Sequence, residues 1–421
     1  MDYQTELGFN PILPAVMHID LNSCFASIEQ QANPFLRGKP VAVAAYRSPN
    51  GCILAASVEA KKMGVKTGMK VKEGKFLCPG LFVLESDPWK YRNVHLALRK
   101  IVSGYTDDFS PKSIDEFVLA MAGTVHLFGG NMTFVAQEIK RRIKVEVGDW
   151  LTVSIGIAPN RFLAKVASNL YKPDGLTEIT KRNFLEIYQK LKLVDLPYIK
   201  LRNAIRLSFV GIATVEEFYM SPIWKLQAAF KSVNGYYWYL RLRGWEIDDV
   251  EFGRKTYGNS YALPNPLTTL DEIAPVLSKL VEKTGFRLRK ANLTTSGVHI
   301  AIYYRDGYFW HRGVTFQQSL FDSRDIFKKA LFIAGLSPYK KPIRNIFISC
   351  FNLKKKDFLQ LNIFEDLQKR ERLVSSIDET NKSWGDFVLT PARMLYLDKV
   401  AVPDRIAFGG VKELEEFTLQ K

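Results

Sequence analysis

Two adjacent carboxylates, Asp115 and Glu116, lie between an irregular run and the apolar segment 117–121. A third carboxylate, Asp20, directly follows the apolar run 15–19. Carboxylate oxygens are preferred ligands of Mg²⁺, which keeps few protein ligands. Two such ions about 3.5–4 Å apart can clamp the attacking and leaving oxygens of a phosphoryl transfer. An Asp-Glu pair after a turn is commonly a solvated strand end, so this chemistry needs support from the rest of the chain.

The carboxylates adjoin short apolar runs that predict β-strands, and helices are predicted between these runs. Strands are predicted over 15–20, 41–46, 51–56, 151–157, 295–304 and 343–351, and helices over 22–31, 57–63, 88–105, 132–147, 161–171, 270–290, 324–334 and 367–377. Two more strands are expected between residues 105 and 132. This alternation predicts a sheet covered by helices on one face, and residues 177–250 are rich in helix formers.

The composition excludes several classes of protein. The length of 421 residues predicts about three or four domains. No apolar run reaches the roughly 18 residues expected of a membrane span, and the first residues lack a secretory signal pattern. The four cysteines are far apart and have no CxxC spacing. We therefore expect neither a disulfide framework nor a zinc site, and we expect a reducing, cytoplasmic location.

The net charge of +16 is concentrated in one part of the chain. Residues 254–356 contain 18 Lys or Arg against 6 Asp or Glu, an excess of 12 positive charges. A basic domain of this kind favours a polyanionic partner such as nucleic acid. Charge alone does not establish that role, because many basic proteins bind no nucleic acid.

Three segments resemble, in the same order, the motifs of the Y-family, or translesion, DNA polymerases. The first is 18–29 with its continuation at 33–43, the second is Ser-Ile-Asp-Glu at 113–116, and the third is 152–175. The resemblance covers residues 15–365. It is strongest before residue 176 and weakest in the helix-rich part that follows.

The resemblance implies an α+β, multidomain fold of the right-hand polymerase type. This fold has a palm, small fingers, a helical thumb and an α/β little finger that binds DNA. The implied domains are a palm (1–23 and 89–176), fingers (24–88), a thumb (177–250), a little finger (254–356) and a tail (357–421).

The resemblance assigns roles to the carboxylates. It implies that Asp20, Asp115 and Glu116 are catalytic and, with the backbone carbonyl of Leu21, hold two Mg²⁺ ions, for which Mn²⁺ could substitute. One ion lowers the pKa of the primer 3′-hydroxyl, and the other neutralises the triphosphate and stabilises the leaving pyrophosphate. Such catalysis rests on positioning and charge stabilisation. Asn22 stands where some relatives have Asp, and Asn also occurs there in the polymerase V catalytic-subunit branch.

The resemblance also implies a site for the incoming nucleotide. Phe25 is the implied steric gate, whose flat ring leaves no room for a ribose 2′-hydroxyl; spacing alone would make it a core residue of an amphipathic helix. The implied nucleotide-binding residues are Cys24, Phe25, Ser57, Lys61 and Lys172. Lys61 and Val58 stand where polymerase IV-like members have Arg and Tyr. Lys keeps the positive charge of Arg but loses its bidentate fork.

Two further segments concern DNA and protein partners. In the family, a glycine-rich thumb hairpin binds DNA phosphates through backbone N–H groups. The matching segment here, 194–201, has no glycine, and Lys200, Arg202 and Arg206 are the candidates to replace that contact by charge. The implied clamp-binding residues are Gln360, Leu361, Ile363 and Phe364. A second match, 317–321, lies inside the predicted little finger, where a structural role is favoured.

The predicted function is template-directed, low-fidelity DNA polymerisation for translesion synthesis past damaged bases, within DNA repair and the SOS response. The implied partners are primer-template DNA, dNTP and a sliding clamp. Asn22 and Val58 lean toward the polymerase V branch, which would add RecA and an accessory protein. One alternative is a catalytically silent homologue that acts as a DNA and clamp adaptor, and the intact carboxylates disfavour it. Another is a palm-like nucleotide cyclase, which the basic domain and the clamp-like peptide disfavour.

Overall fold

The computed structural model describes residues 7–250, 253–356, 366–397 and 401–402. These residues form two compact units, which divide at residue 250. The first unit contains the three carboxylates, and the second contains the basic segment 254–356. Within the described residues, no helix combines the length and apolar character needed to cross a membrane.

The first unit alternates short strands and helices, as predicted. Its strands are β1 (Val16–Leu21), β2 (Val41–Ala44), β3 (Ile53–Ala56), β4 (Phe82–Glu85), β5 (Phe109–Pro111), β6 (Glu116–Ala120), β7 (Val153–Ala158) and β8 (Leu176–Glu178). Its α-helices are α1 (Cys24–Ala32), α2 (Val58–Lys62), α3 (Val71–Leu77), α4 (Pro88–Val102), α5 (Met132–Arg142), α6 (Arg161–Leu170), α7 (Phe184–Lys190), α8 (Leu201–Phe209), α9 (Val215–Met220), α10 (Ile223–Phe230) and α11 (Asn234–Leu242). A π-helical turn at Ile143–Val147 extends α5 to the end of its predicted range.

Five of these strands form one sheet in the order β5-β6-β1-β7-β8. The central strand β1 pairs antiparallel with both β6 and β7. It is buried along most of its length, which explains why its sequence reads as a continuous apolar run rather than as an alternating one. Asp20 therefore lies inside the sheet, with a neighbouring strand on each side.

Alternation along β1 gives this sheet two different faces. Ile19 packs into an apolar core with residues of α1, α4 and α5, whereas His18 and Asp20 project from the opposite face. Helix α6 covers part of that opposite face, so the expectation that helices cover only one face is wrong. The close approach depends on Gly156, because a Cβ there would lie 2.0 Å from the carbonyl oxygen of Ala164 on α6.

A second, smaller sheet has the order β3-β2-β4. The antiparallel pairing of β2 with β3 confirms the predicted hairpin. Strand β4, which was not predicted, joins parallel to β2. The small core beneath this sheet is built largely from Ala and Val side chains, so the region predicted as fingers is compact.

Helices α7 to α11 occupy residues 184–242, as the helix-forming composition predicted. Their shared core is rich in aromatic rings, including Phe184, Tyr188, Phe218 and Trp238. The same core contains buried residues of α6. This helical region is therefore continuous with the helix that lies on the carboxylate face of the sheet.

The second unit is a four-stranded antiparallel sheet with helices. Its elements are β9 (Tyr257–Leu267), α12 (Leu270–Lys290), β10 (Leu293–Tyr304), β11 (Phe309–Leu320), α13 (Ser323–Gly335), β12 (Ile343–Lys355) and α14 (Leu367–Trp384). The sheet order is β11-β10-β12-β9. Strands β9 and β11 were not predicted, because β9 contains two prolines and β11 is mostly exposed.

Helix α14 packs on the rest of the second unit through ion pairs. Arg289 of α12 makes two hydrogen bonds, 2.7 and 2.8 Å long, to the carboxylate of Asp378. Arg370 of α14 lies 2.9 Å from Asp322, the residue that caps α13. The described start of the predicted tail is therefore a structural part of this unit.

Candidate active site

Strand pairing brings the predicted carboxylates together. Asp20 on β1 lies directly opposite Glu116 on β6, so their side chains project from the same face of the sheet. Asp115 immediately precedes β6, and its carbonyl oxygen accepts a 2.9 Å hydrogen bond from the amide of Leu21. The sheet thus brings Asp20 next to the adjacent pair Asp115 and Glu116, which lies far from it in the sequence.

The imidazole of His18 joins this group. Ligand atoms of His18, Asp20 and Glu116 all lie within 4.8 Å of one another. Both ring nitrogens are buried and have no hydrogen-bond partner among the described residues. Burial, together with nearby lysines, holds the pKa of His18 well below its usual value, so the ring is neutral. A hard divalent ion prefers oxygen to such a nitrogen, so the carboxylates remain the better ligands.

Two ammonium groups contact the carboxylates. The Nζ atom of Lys172 lies 2.7 Å from Oδ2 of Asp20. The Nζ atom of Lys165 lies 3.0 and 2.7 Å from the two carboxylate oxygens of Glu116. Since the donors are oxygens and two of them already attract positive charge, the site fits a divalent metal.

Burial and mutual repulsion act on the carboxylates. Burial, with the charges of Asp20 and Glu116 added, raises the pKa of Asp115 to about 6. Burial also raises the pKa of Asp20, although Lys172 opposes that shift. Burial lowers the pKa of Lys165, but its hydrogen bond to Glu116 and the negative charges around it outweigh that effect and raise the pKa overall. A bound cation would relieve the repulsion among the carboxylates.

A pocket of about 480 Å³, which we call the Phe25 pocket, opens beside Asp20. It is bordered by most of the residues predicted to bind metal and nucleotide. These residues are Asp20, Leu21, Cys24, Phe25, Lys61, Asp115 and Lys172. The structure therefore gathers these predicted residues around one pocket.

Phe25 is both a wall of this pocket and a part of the core. Its ring is almost fully buried and stacks on the ring of Tyr91, with centroids 4.3 Å apart and an interplanar angle of 11°. The hydroxyl of Tyr91 donates a 2.9 Å hydrogen bond to Glu29. Stacking of this kind fixes the orientation of the Phe25 ring.

Lys61 and Cys24 both border the pocket, but their side chains differ in charge. The ammonium group of Lys61 donates a 2.8 Å hydrogen bond to the hydroxyl of Ser23. Burial and the charge of Lys172 lower the pKa of Lys61. Burial raises the pKa of the Cys24 thiol, so that side chain is a neutral wall. Of the two, only Lys61 brings positive charge to the pocket.

Ser57 does not bring its hydroxyl to the pocket. The side chain is fully buried, and its oxygen accepts hydrogen bonds from the amides of Val41 and Ala60, at 3.1 and 3.3 Å. The second of these bonds caps the N terminus of α2. In this structure Ser57 shapes the pocket only indirectly, through the helix that carries Lys61.

A larger cavity of about 890 Å³ lies beside Glu116. We call it the Arg206 cavity, and its lining combines acidic, basic and aromatic residues. The lining includes Ser113, Asp115, Glu116, Arg161, Lys165, Tyr198, Arg206 and Trp238. Asp115 borders both the Phe25 pocket and the Arg206 cavity, so the carboxylates lie between two openings.

The hairpin that lacks glycine contributes to this cavity. Tyr198 adopts a left-handed backbone conformation with φ of +68°, which is strained for a bulky residue. Its ring lies 6.0 Å from the ammonium group of Lys165. Of the three basic residues proposed to replace the glycines, Arg206 lines the cavity, whereas Lys200 and Arg202 are not part of its lining.

Only one of the two clamp-like segments lies among the residues that the structure describes. The predicted clamp-binding residues Gln360, Leu361, Ile363 and Phe364 lie outside the described residues. In the second match, residues 317–320 belong to β11, and Leu320 and Phe321 are buried. The structural role favoured for this second match agrees with that burial.

Comparison with known proteins identifies the family. The profile of the impB/mucB/samB family matches residues 19–169, and that of the impB/mucB/samB family C-terminal domain matches residues 254–363. DNA polymerase IV 1 of Bacillus subtilis (strain 168) is 33% identical over 380 residues, which cover 88% of this chain and 90% of that protein. The chain belongs to the Y-family DNA polymerases.

A second relative of this Y-family polymerase is DNA polymerase IV of Pelotomaculum thermopropionicum, 31% identical over 402 residues, which cover 91% of this chain and 97% of the relative. Among solved structures, a Y-family DNA polymerase chimera of Dbh and Dpo4 matches with a TM-score of 0.71 at 23% identity, over 81% of this chain and 99% of its own. The predicted α+β right-hand fold is confirmed.

Membership of this family confirms the predicted activity. The protein is a DNA-directed DNA polymerase of the translesion type, and the nucleotide cyclase interpretation is wrong. The lean toward the polymerase V branch, based on Asn22 and Val58, is not supported, because the relatives are named DNA polymerase IV. Two substitutions near a motif are a weaker guide to the branch than identity along most of the chain.

Sequence reasoning missed Lys165, Tyr198 and the environment of Asn22 in this polymerase. Lys165 lies in the third motif, between buried residues of α6 such as Phe162 and Val166. A lysine directly between the apolar residues Ala164 and Val166 is a signal that could have found it, because a charge that becomes partly buried needs a partner. No local pattern predicts the backbone conformation of Tyr198.

Proposed function

We propose that Asp20, Asp115 and Glu116 hold two Mg²⁺ ions and that the polymerase there joins a dNTP to the 3′ end of a primer. One observation carries this proposal: the carboxylates lie between the Phe25 pocket and the Arg206 cavity. Two-metal transfer suits that layout, because the attacking hydroxyl and the triphosphate approach the ions from different sides. Mn²⁺ also accepts oxygen ligands and would substitute.

The residues of the chain supply positioning and charge. When bound, the ions would lower the pKa of the attacking hydroxyl and neutralise the charge of the triphosphate and of the leaving pyrophosphate. Asp20 and Asp115 would each hold an ion from the border of the Phe25 pocket, and the carbonyl of Leu21 would add an oxygen. The ammonium group of Lys172 lies 2.7 Å from Asp20 in this structure. When the dNTP binds, Lys172 would leave this carboxylate and contact the triphosphate instead.

The Phe25 pocket is the proposed site of the incoming dNTP. Lys61 and Lys172 would bind phosphate oxygens as point charges. Phe25 would act as the steric gate, since its ring is fixed by the stack on Tyr91 and cannot turn away easily from a 2′-hydroxyl. Cys24 would border the nucleotide as an uncharged wall, and Ser57 would act through the start of α2.

The Arg206 cavity is the proposed site of the primer end. Its lining places the guanidinium of Arg206 and the ring of Tyr198 with Glu116 around one space. A guanidinium suits a phosphodiester, and an aromatic ring suits a sugar or a base. The basic second unit, taken by itself, suits longer contacts with the DNA backbone, because its charge gives affinity without sequence preference.

The proposal also includes a protein partner, which would bind residues outside those that the structure describes. The peptide Gln360, Leu361, Ile363 and Phe364 would bind a sliding clamp in an extended form. Four cysteines without metal or disulfide spacing support a cytoplasmic location.

Primer extension on a template with an abasic site tests this proposal. With Mg²⁺ and dNTPs, the purified wild type should insert opposite and beyond the lesion, and Asp115→Ala should not. Asp149→Ala is the matched control, because Asp149 is an exposed carboxylate ion-paired with Arg37. A wild type that binds primer-template yet extends nothing would instead support the catalytically silent adaptor. Equal extension by Asp115→Ala would remove Asp115 from the metal site.

A further inference from the structure

The side chain of Asn22 forms a buried network beside the active site. It is 4% exposed, and its Nδ2 atom donates a 2.9 Å hydrogen bond to the hydroxyl of Ser154. Its Oδ1 atom accepts a 2.8 Å hydrogen bond from the backbone amide of Asp174 and a 3.2 Å bond from the hydroxyl of Thr152. Both polar atoms of the amide are therefore bonded to protein groups, although Asn22 borders the Phe25 pocket.

The same network holds both ends of the loop that carries Lys172. The hydroxyl of Ser154 accepts a 3.2 Å hydrogen bond from the amide of Gly175 and lies 3.4 Å from the carbonyl oxygen of Tyr171. Asn22 holds the amide of Asp174 between these two points. The loop is tight, because a Cβ at Gly175 would lie 1.8 Å from the carbonyl oxygen of Tyr171.

Lysines fix the side chain of Asp174 but not its backbone amide. Lys140 and Lys144 lie 3.0 and 3.1 Å from the two carboxylate oxygens of Asp174. The backbone amide, by contrast, is bonded to Asn22. Lys140 also donates a hydrogen bond to the carbonyl oxygen of Asp174, so loss of the Asn22 acceptor would leave the amide unpaired and would loosen the segment that follows Lys172 without freeing it.

We propose that Asn22 is a positioning residue that sets Lys172 at the border of the Phe25 pocket. An amide suits this role because its Nδ2 atom donates to the hydroxyl of Ser154 and its Oδ1 atom accepts from the amide of Asp174. A side chain without polar atoms would remove the bond to the amide of Asp174, which would loosen the loop and shift the ammonium group of Lys172 from its position 2.7 Å from Asp20. This inference rests on the proposed function, in which Lys172 binds the triphosphate.

Steady-state incorporation kinetics on the full chain test the inference, with Asn22→Ala, Lys172→Ala and the double variant. Asn22→Ala should raise KM for the dNTP about tenfold while kcat changes by less than about threefold, because the weakened triphosphate contact is made equally in the ground state and in the transition state. In the double variant, KM should be no higher than in Lys172→Ala alone, because both changes remove the same interaction.

Asn160→Ala is the matched control. Asn160 is also buried, and its amide donates to the carbonyls of Arg241 and Trp245 and accepts from the amide of Leu163. Its loss should lower the thermal unfolding temperature as much as Asn22→Ala does without raising KM for the dNTP. Asn22→Asp keeps the acceptor for Asp174, so its KM should stay within about threefold of the wild type.

The outcomes separate the inference from the proposed function. If Lys172→Ala leaves KM unchanged, Lys172 does not bind the triphosphate and the proposed function is wrong at that residue. If Lys172→Ala raises KM but Asn22→Ala does not, or if the two effects multiply in the double variant, the positioning role of Asn22 is wrong. A rise in KM in Asn160→Ala equal to that in Asn22→Ala would show a general loss of stability instead.

Discussion

The Phe25 pocket and the Arg206 cavity flank the same carboxylates but are built in different ways. The pocket is lined by short segments of the chain near residues 20–25, 54–67 and 172–173, together with Asp115. The cavity is lined by residues scattered from His18 to Asp248. A site made of a few compact segments can be recognised as motifs, whereas a site assembled by helix packing has no local signature.

The two regions also differ in how their charged groups are held. In the Phe25 pocket, Lys61 and Lys172 are hydrogen-bonded or ion-paired at less than 3 Å. In the Arg206 cavity, Arg206 is on an exposed position of α8, and Tyr198 is held in a strained backbone conformation. We therefore expect substitutions at the pocket to change chemistry and selectivity, and substitutions at the cavity to change DNA affinity.

The largest expected effect comes from the carboxylate that pairs with Lys172. Asp20→Asn keeps the size of the side chain but removes its charge, so incorporation with Mg²⁺ should fall on the order of a thousandfold or more. Rapid-quench measurement of a single nucleotide addition provides the rate. Glu178→Gln, on β8 of the same sheet, should leave the rate within about twofold. Comparable losses in the two variants would mean that the sheet, rather than the site, was damaged.

Selectivity against ribonucleotides tests the wall of the Phe25 pocket. Phe25→Ala should raise the efficiency of ribonucleotide relative to deoxynucleotide incorporation on the order of a hundredfold, because the space for a 2′-hydroxyl opens. Loss of a buried Phe also destabilises a fold by about 3–5 kcal/mol, so Phe25→Leu should be measured beside it. Unchanged sugar discrimination in both folded variants would remove the steric gate assignment.

The raised pKa of Asp115 predicts a pH-dependent stability in metal-free protein. Because the folded pKa of about 6 exceeds 3.8, stability rises as pH falls through 6, and ionisation above pH 6 costs stability. Asp115→Asn should therefore be more stable than the wild type at pH 8 by about 2–3 kcal/mol. Urea unfolding with EDTA measures this difference, which should vanish below about pH 4.

Two results would count against that interpretation of Asp115. Asp115→Asn could be less stable than the wild type at pH 8, or the difference could be independent of pH. Asp149→Asn is the control, because its exposed carboxylate is paired with Arg37, which holds the pKa of Asp149 below its usual value. That variant should not gain stability at pH 8.

The smallest expected effect concerns the Arg206 cavity. Arg206→Ala should weaken binding to primer-template DNA about threefold to tenfold. The slope of log affinity against log salt concentration should fall by about one, because one fewer counterion is released on binding. Fluorescence anisotropy at several salt concentrations measures both quantities. Arg202→Ala is matched in residue type, helix and exposure but is not part of the cavity lining. Equal losses in the two variants would indicate general attraction to DNA rather than a primer site.

Much of the fold followed from sequence pattern, and the exceptions have physical causes. The apolar runs near Asp20 and after Glu116 became paired strands, because burial on both faces favours continuous apolar sequence. The expectation of one helix-covered face was wrong, because the close contact at Gly156 that admits α6 has no periodic signal. In β11 the apolar residues Trp310, Val314, Phe316 and Leu320 have the spacing of one strand face, but Arg312 and Gln318 interrupt their alternation, so the pattern was too weak to predict the strand.

The candidate site also contains residues that could be predicted from the sequence and residues that could not. Asp20, Phe25 and Lys172 belong to recognisable motifs and border one pocket. Ser57 lies in the same stretch, but its small hydroxyl is used to cap a helix, which competes with any ligand. The strained backbone of Tyr198 depends on the packing of a hairpin, and sequence spacing does not determine such packing.

The most direct measurement counts the metal ions that the carboxylates hold. Electron paramagnetic resonance with Mn²⁺ should be recorded for the polymerase with a dideoxy-terminated primer-template and the matching dNTP. We predict two tightly bound ions per wild-type chain, and the loss of at least one in Asp115→Ala. Equal numbers of bound ions in the wild type and in Asp115→Ala would contradict the shared metal site.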